Sequence, residues 1–383
     1  MTFYNQFYLA AAIVILVSCR GNDRIRNSYG SDSTSVVLKH ATRFSVKQKA
    51  NYKVLSIINP WQGALNVSQD YYLVKKGERT PSGLDSGRII RTPVSSIICM
   101  STTHLSMITA LNETGTIKGI SGADYVYDRS IRELIKANKI PDVGYEDNLN
   151  KELIVRISPD LIMAYGIGGE SANYVKKLRE LGVRVMFNAD YLENDPLGKA
   201  EWIKVFGVLF EKEREADSLF NSIRVEYDRI KHIVWKEAKK KPTVFLGLPW
   251  KDTWFISPGN SYISKLISDA GGEYLWKDIS SDISMPLGLE NVFLKALKAE
   301  FWLNSGSVNS REEISSIDQR LEELPSYKND NVFNNNNRIT AKGGNDYWES
   351  GSIAPQIILK DIASILHPGL FPGYVPFYYK RVK

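Results

Sequence analysis

Residues 148–166, NLNKELIVRISPDLIMAYG, and residues 287–306, LGLENVFLKALKAEFWLNSG, repeat one design. Each carries a Glu (Glu152, Glu290) ahead of apolar residues at helical spacing: Leu153, Ile154 and Ile157 in one, Val292, Phe293, Ala296 and Leu297 in the other. A continuous apolar run closed by Gly then follows. The first part fits a helix with one buried face, and the run fits a strand covered on both faces. Helix then buried strand is half of a parallel βαβ unit, so two copies predict two similar α/β lobes. An acid in a first helical turn complements the helix dipole, which accounts for either Glu singly. Its recurrence at one place in both copies suggests a handle on each lobe for a single partner.

The alternation continues on both sides of each copy. In the first half, strands are expected over 97–101, 117–121, 161–166 and 183–188, with helices over 104–111, 130–137, 151–157 and 171–181. In the second, helices are expected over 213–235, 261–270, 290–297, 312–323 and 354–366, with strands over 243–249, 301–306 and 331–335. Alternation of this kind argues for parallel sheets covered by helices. Between the halves, Asn194-Asp195-Pro196 sets a turn with Pro at a first helical position. Trp202, Phe206, Leu209 and Phe210 follow at i, i+4, i+7 and i+8, which predicts one amphipathic helix crossing from lobe to lobe. Such a crossing restrains hinge motion and allows only small closure around a ligand. Ahead of the lobes, 52–59 and 70–74, joined through Pro60-Trp61-Gln62-Gly63, read as an antiparallel hairpin. The division expected is an N-terminal lobe over 36–193 that includes this hairpin, a crossing helix over 194–211 and a C-terminal lobe over 212–383. At 383 residues the chain exceeds what one core usually serves.

A net charge of +6 is modest, and the basic runs at 239–241 and 380–383 read as solvated ends, so no nucleic-acid partner is implied. The apolar stretch 7–17 is short for a membrane span and ends in Leu16-Val17-Ser18-Cys19. That order resembles the bacterial lipoprotein signal, with residues 1–19 as leader and Cys19 as the lipidated residue. The leader departs from the usual pattern in lacking Lys or Arg within MTFYNQ. Residues 20–35, polar and rich in Ser, Asn, Asp, Gly and Arg, suit a flexible tether. Cys99, within Ile97-Ile98-Cys99-Met100, has no other cysteine in the folded part and reads as a buried free thiol.

Taken together, the lipobox, Thr92–Thr103 (TPVSSIICMSTT), Asp142-Val143-Gly144 leading into 150–160, the GVLF of 207–210 and NSYISKLISDAGG at 260–272 resemble the periplasmic binding proteins of ABC importers for cobalamin, ferric siderophores and haem. The resemblance covers about residues 90–383. It implies two Rossmann-like α/β lobes joined by one long helix, a ligand held between them, no catalytic activity and no cofactor. It further implies a monomer lipid-anchored at a bacterial membrane on its periplasmic side, serving a permease and ATPase complex, with Glu152 and Glu290 docking on the permease.

Ligand contacts are expected where strand ends face the gap. In the first lobe these are Thr103, His104, Tyr125, Tyr127 and Tyr165; in the second they are Trp250, Trp254, Asn304 and, from RITAKGGNDYWESG at 338–351, Asn345, Tyr347, Trp348 and Glu349. Aromatics around Gly-rich loops favour a large, flat, partly apolar ligand such as a corrin, a porphyrin or a chelate. The loops hold no dense Arg cluster, which argues against a highly anionic chelate. The four histidines, His40, His104, His232 and His367, are scattered, so a bare-metal site is not indicated, and His104 is read as capping its helix or lining the pocket. Haem would need an axial ligand, for which His104, Tyr125 or Tyr127 would serve. Walker, GxSxG, HExxH and CxxC patterns are absent, which disfavours an enzyme. A surface lipoprotein that binds a ligand without transport is the remaining class.

Overall fold

The computed structural model describes residues 33–34, 36–145, 148–166, 170–180 and 182–383. The leader, Cys19, most of the tether and positions 167–169 of the glycine loop lie outside the described residues.

The chain first builds a sheet of its own from β1 (Ser33–Thr34), β2 (Phe44–Gln48), β3 (Lys53–Ile58), β4 (Ser68–Lys75) and β5 (Ile89–Thr92), in chain order. Neighbours are antiparallel as far as β4, and β5 joins β4 in parallel. The hairpin expected over 52–74 is therefore only the centre of a five-stranded accessory sheet. Phe44, Val46, Leu55, Ile57, Tyr71 and Leu73 alternate along their strands and fill the main core from one face.

The first parallel sheet follows. Its elements are β6 (Ile97–Cys99), α1 (Thr102–Ala110), β7 (Ile117–Ile120), α2 (Arg129–Lys136), α3 (Lys151–Ile157), β8 (Leu161–Ala164), α4 (Glu170–Glu180) and β9 (Val185–Phe187). The strands lie in the order β7-β6-β8-β9, all parallel. Successive residues serve opposite faces: Ile97, Cys99, Leu161 and Met163 enter the main core, while Ile98, Met100, Ile162 and Ala164 enter a second cluster with Ile154 of α3. Cys99 is the buried free thiol expected, and burial pushes its pKa up.

The connection runs through α5 (Pro196–Glu201), α6 (Ile203–Phe210) and the 25-residue α7 (Glu213–Glu237). The single helix expected over 197–210 is thus divided at Trp202, although that residue keeps right-handed helical dihedrals (φ −61°, ψ −15°). Every residue of α6 is buried. Two buried carboxylates stitch the start of the accessory sheet to this connection. Glu193 accepts from Thr42 N (3.0 Å), Arg43 N (2.9 Å), the Thr42 hydroxyl (3.0 Å) and Trp202 Nε1 (3.1 Å). Glu201 accepts from Lys39 N (3.1 Å), His40 N and Ala41 N (both 2.8 Å) and pairs with Lys204 at 3.0 Å.

The second parallel sheet is built from β10 (Thr243–Leu246), β11 (Pro249–Trp250), β12 (Thr253–Ile256), α8 (Tyr262–Asp269), β13 (Glu273–Tyr274), β14 (Met285–Gly288), α9 (Leu289–Ala296), β15 (Phe301–Leu303), α10 (Arg311–Ile317), α11 (Pro325–Lys328), β16 (Val332–Asn334), α12 (Pro355–Leu366) and β17 (Lys380–Arg381). Its order is β13-β10-β15-β16-β17, parallel except for β17, while β11, β12 and β14 form a small antiparallel sheet beside it. Both parallel sheets place the second strand beside the first, then the third, then the fourth. The two quoted copies, α3–β8 and α9–β15, occupy the same third-strand position. The helix expected over 312–323 stops early because Asp318 goes extended (φ −161°) and its carboxylate accepts from Arg320 N, restarting the chain as a 3-10 turn.

Removing the Glu201 carboxylate leaves the N–H groups of Lys39, His40 and Ala41 without their acceptor and takes from Lys204 one of its partners, Val37 O and Asp217 remaining. Glu201→Ala is expected to cost about 3 kcal/mol of stability in urea unfolding. Limited proteolysis should then cut the accessory sheet before either lobe.

Candidate ligand site between the lobes

The loops at the carboxyl ends of the parallel strands meet across the molecule. After β7, Gly122 turns in the left-handed region (φ 75°), and the Asp142 carboxylate accepts from Gly122 N (3.3 Å), Ala123 N (2.8 Å) and Gly144 N (2.8 Å). This fixes a turn that presents Tyr125, 61% exposed. After β16, the stretch 338–352 reaches over to that turn. Lys342 pairs with Asp124 (2.5 Å), the Arg338 guanidinium lies 5.0 Å from the Tyr127 ring, and Gly344 backs onto the Tyr125 carbonyl, where an added Cβ would sit 2.6 Å from that oxygen.

Glu349 forms the deepest of these contacts. Its buried carboxylate accepts from Tyr127 N (2.7 Å) and Asp128 N (2.8 Å) at the start of α2. Burial pushes it up to about 7; the two amide bonds oppose that shift, and the Asp128 and Asp346 carboxylates add to it. Beside it, the Ser106 and Ser352 hydroxyls lie 2.8 Å apart, and Ser106 donates to the Thr103 carbonyl at 3.0 Å.

The expected ligand residues divide by exposure. Tyr125, Trp250 (70%) and Trp348 (53%) offer their rings to solvent. Tyr165 is half-buried and donates to the Tyr145 hydroxyl at 3.1 Å, and Tyr145 is itself exposed. Asn304 accepts from the Tyr379 hydroxyl (2.7 Å), while Asn345 donates to Asn335 O (3.2 Å) and accepts from Tyr347 N (3.0 Å). Tyr347 is buried edge-on against Trp348, Tyr378 and Tyr379, so it supports the loop from beneath.

Besides Tyr347 and Glu349, two more expected contacts are buried. Trp254 is fully buried on β12, donates Nε1 to Leu246 O (2.9 Å) and packs on Phe245 and Trp302. The stretch 250–254, read as a loop, is a β-hairpin, and alternation along β12 turns Trp254 inward. His104 is likewise fully buried, and Ser101 rather than His104 caps α1. Neither ring nitrogen finds a partner among the described residues, and burial pulls the imidazole down to about 3. Asp142 and Tyr145 were not singled out as site residues; the Asx signature Asp142-Val143-Gly144 was the available signal for the first. Glu152 and Glu290 stand apart from these loops, exposed in the first turns of α3 and α9.

Two parallel-sheet lobes whose strand-end loops meet are the architecture expected of a two-lobed solute-binding protein. A family profile described as "Periplasmic binding protein" matches residues 97–343, and the chain belongs to that family. The match begins at β6, after the accessory sheet. The chain is 29% identical over 340 residues to an uncharacterized lipoprotein of Methanocaldococcus jannaschii, covering 83% of this chain and 79% of that one. It is 27% identical over 143 residues to the vitamin B12-binding protein of Salmonella paratyphi A, covering 37% of this chain and 51% of that protein. A periplasmic heme binding protein from Pseudomonas aeruginosa shares the fold with TM-score 0.58 at 14% identity, covering 76% of this chain and 98% of that one.

The ordinary value for an exposed Glu carboxyl is 4.5, so seating Glu349 in its pocket is linked to proton uptake. Its stabilising contribution is fully present below about 4.5 and is lost as pH rises through about 7. Docking of 338–352 on α2 should strengthen by roughly 2 kcal/mol from alkaline to mildly acidic pH. Amide hydrogen exchange at Tyr127 and Asp128 reads this directly, and Glu349→Gln should flatten the trend.

Proposed function

We propose that this chain is the membrane-anchored substrate-binding component of an ABC importer, capturing an iron–siderophore complex or cobalamin between its lobes and delivering it to a permease driven by an ATPase. In this reading 36–193 and 212–383 are the two lobes, 194–211 joins them, and the chain works as a monomer on the periplasmic side of the membrane. The observation that carries the reading is the trio of exposed rings, Tyr125, Trp250 and Trp348, on segments that follow parallel strands. Flat apolar rings edged by the amide and hydroxyl groups of Asn304, Asn345, Tyr127 and Tyr165 suit a large, partly apolar chelate that also carries amide or hydroxamate groups. Similarity to a vitamin B12-binding protein supports the corrinoid choice. Haem is the second reading, favoured by the fold shared with a heme binding protein. With His104 sealed in the core, the Tyr125 phenol is the exposed candidate for an axial ligand.

Anchoring would come from lipid on Cys19, and similarity to a protein named as a lipoprotein supports it. Glu152 and Glu290 are the proposed permease handles. Asn150 caps α3, accepting from Leu153 N (2.9 Å), and Gly288 opens α9, so both acids ride on short helices that feed the third strand of their sheets. Arg320 stands 3.8 Å from Glu290, whose side chain is 84% exposed. Paired with cations in a permease, such acids would set orientation and association rate more than affinity.

Quenching of intrinsic tryptophan fluorescence should accompany titration with cobalamin or a ferric hydroxamate. Trp250→Ala and Trp348→Ala should each weaken that binding by about tenfold. No quenching by cobalamin, ferric hydroxamate or haem removes the transport reading. Reversing Glu152 and Glu290 together should abolish uptake while leaving the titration unchanged; uptake that persists removes the docking role.

A further inference from the structure

The chain's positive charge is concentrated in the part that precedes the family match. Residues 33–92 carry ten Lys and Arg against three Asp and Glu, a surplus of seven, whereas the whole chain has a surplus of six. Everything outside the accessory sheet is therefore close to neutral in sum. The fold then gathers this charge at one end of the sheet. The β2–β3 turn holds Lys47, Lys49 and Lys53, with Gln48 opposite Lys53, and β4 ends beside it at Lys75, followed by Lys76 and Arg79. Arg91 of β5 donates to the carbonyls of Lys75 (3.3 Å) and Glu78 (2.7 Å), which holds the 75–79 turn in place.

Acids among the described residues approach three of these lysines. Lys53 pairs with Glu213, Lys75 with Glu211 at 3.6 Å and Lys76 with Asp160 at 3.1 Å. Lys47, Lys75, Lys76 and Arg79 are exposed. The same end is concave: a hollow of about 230 Å³ is lined by Gln48, Tyr52, Lys53, Lys75, Glu78 and Glu211, among others.

Chain direction supplies the second observation. Ser33 pairs with Gln48, so the polypeptide enters the accessory sheet at this basic end, fourteen residues after the cysteine of the lipobox. A surface that held the N-terminus would be tethered to this end of the sheet. Tethering raises the local concentration of the two surfaces, so a weak contact suffices. Basic clusters beside an anchor are attracted to anionic headgroups within about a Debye length.

We propose that the basic end of the accessory sheet docks on the anionic phospholipid headgroups of the membrane, orienting the lobes above it. Its setting rests on the anchored reading above, but the electrostatic contact is a property of the folded chain alone. The test therefore uses acyl-free protein beginning at Arg20, which retains the whole compact unit Asp32–Lys383. Sedimentation is compared with vesicles of phosphatidylglycerol and phosphatidylcholine in about equal parts and with vesicles of phosphatidylcholine alone. Retention on the mixed vesicles only, falling about tenfold when Lys47, Lys75, Lys76 and Arg79 are all changed to Glu, is the expected result. Because reversing paired lysines could disturb folding, Lys47→Gln with Arg79→Gln serves as the milder variant, with thermal unfolding as control, and should weaken retention severalfold. Equal retention on neutral vesicles, or undiminished retention by the folded variants, overturns the proposal. Acylation of Cys19 is scored separately by metabolic lipid labelling, so a failed anchor and a failed docking surface are distinguished.

Discussion

The architecture depends on the connection over 200–210 being taken wholly out of water. A buried helix can share its surface with several neighbours at once, and α6 does so because Val205, Phe206, Val208, Leu209 and Phe210 leave it with no polar face of its own beyond Lys204. The main core therefore runs without a break from the accessory sheet through the connection into the second sheet. Burying Glu193 and Glu201 in that core is tolerable only because each accepts several hydrogen bonds. Their acceptors are saturated by the backbone of 39–43, so the same two acids that are costly alone fix where the accessory sheet attaches.

The parallel sheets were legible because their strands are short apolar runs that cannot face water on either side. That constraint dominates local propensity, and it is why 161–166 and 301–306 read so clearly. The accessory sheet was half-legible. Its central pair alternates well, but β2 reads Phe-Ser-Val-Lys-Gln and β5 has only four residues, so the outer strands carry little signal without their neighbours. The break at Trp202 left no mark, since no Pro or Gly stands there and the residue stays helical.

Legibility of the site followed a similar rule. Position in sequence placed the segments that follow the strands, but 250–254 is a hairpin where a loop was expected. Which way each ring points was decided by tertiary partners. Trp250 and Trp254 lie on paired strands of one hairpin, yet one is exposed and the other serves the core. His104 shows the same limit from the polar side: a residue type associated with ligands has been enclosed by α1 and its surroundings until only its apolar bulk matters.

Gly344 gives the mouth of the molecule a property of its own. Its Cα rests against the Tyr125 carbonyl, with room for a hydrogen and none for a methyl group. The backbone there is not in the left-handed region, so conformational freedom is not what requires glycine. The missing side chain acts as a shim of zero thickness: any other residue would have to lever the loop off the facing turn, stretching the Lys342–Asp124 pair and lifting Glu349 from its amides. The spacing of the two facing loops is thus set by an atom that is not there, and a larger residue at this one position would widen it without changing any side chain of either loop's contacts.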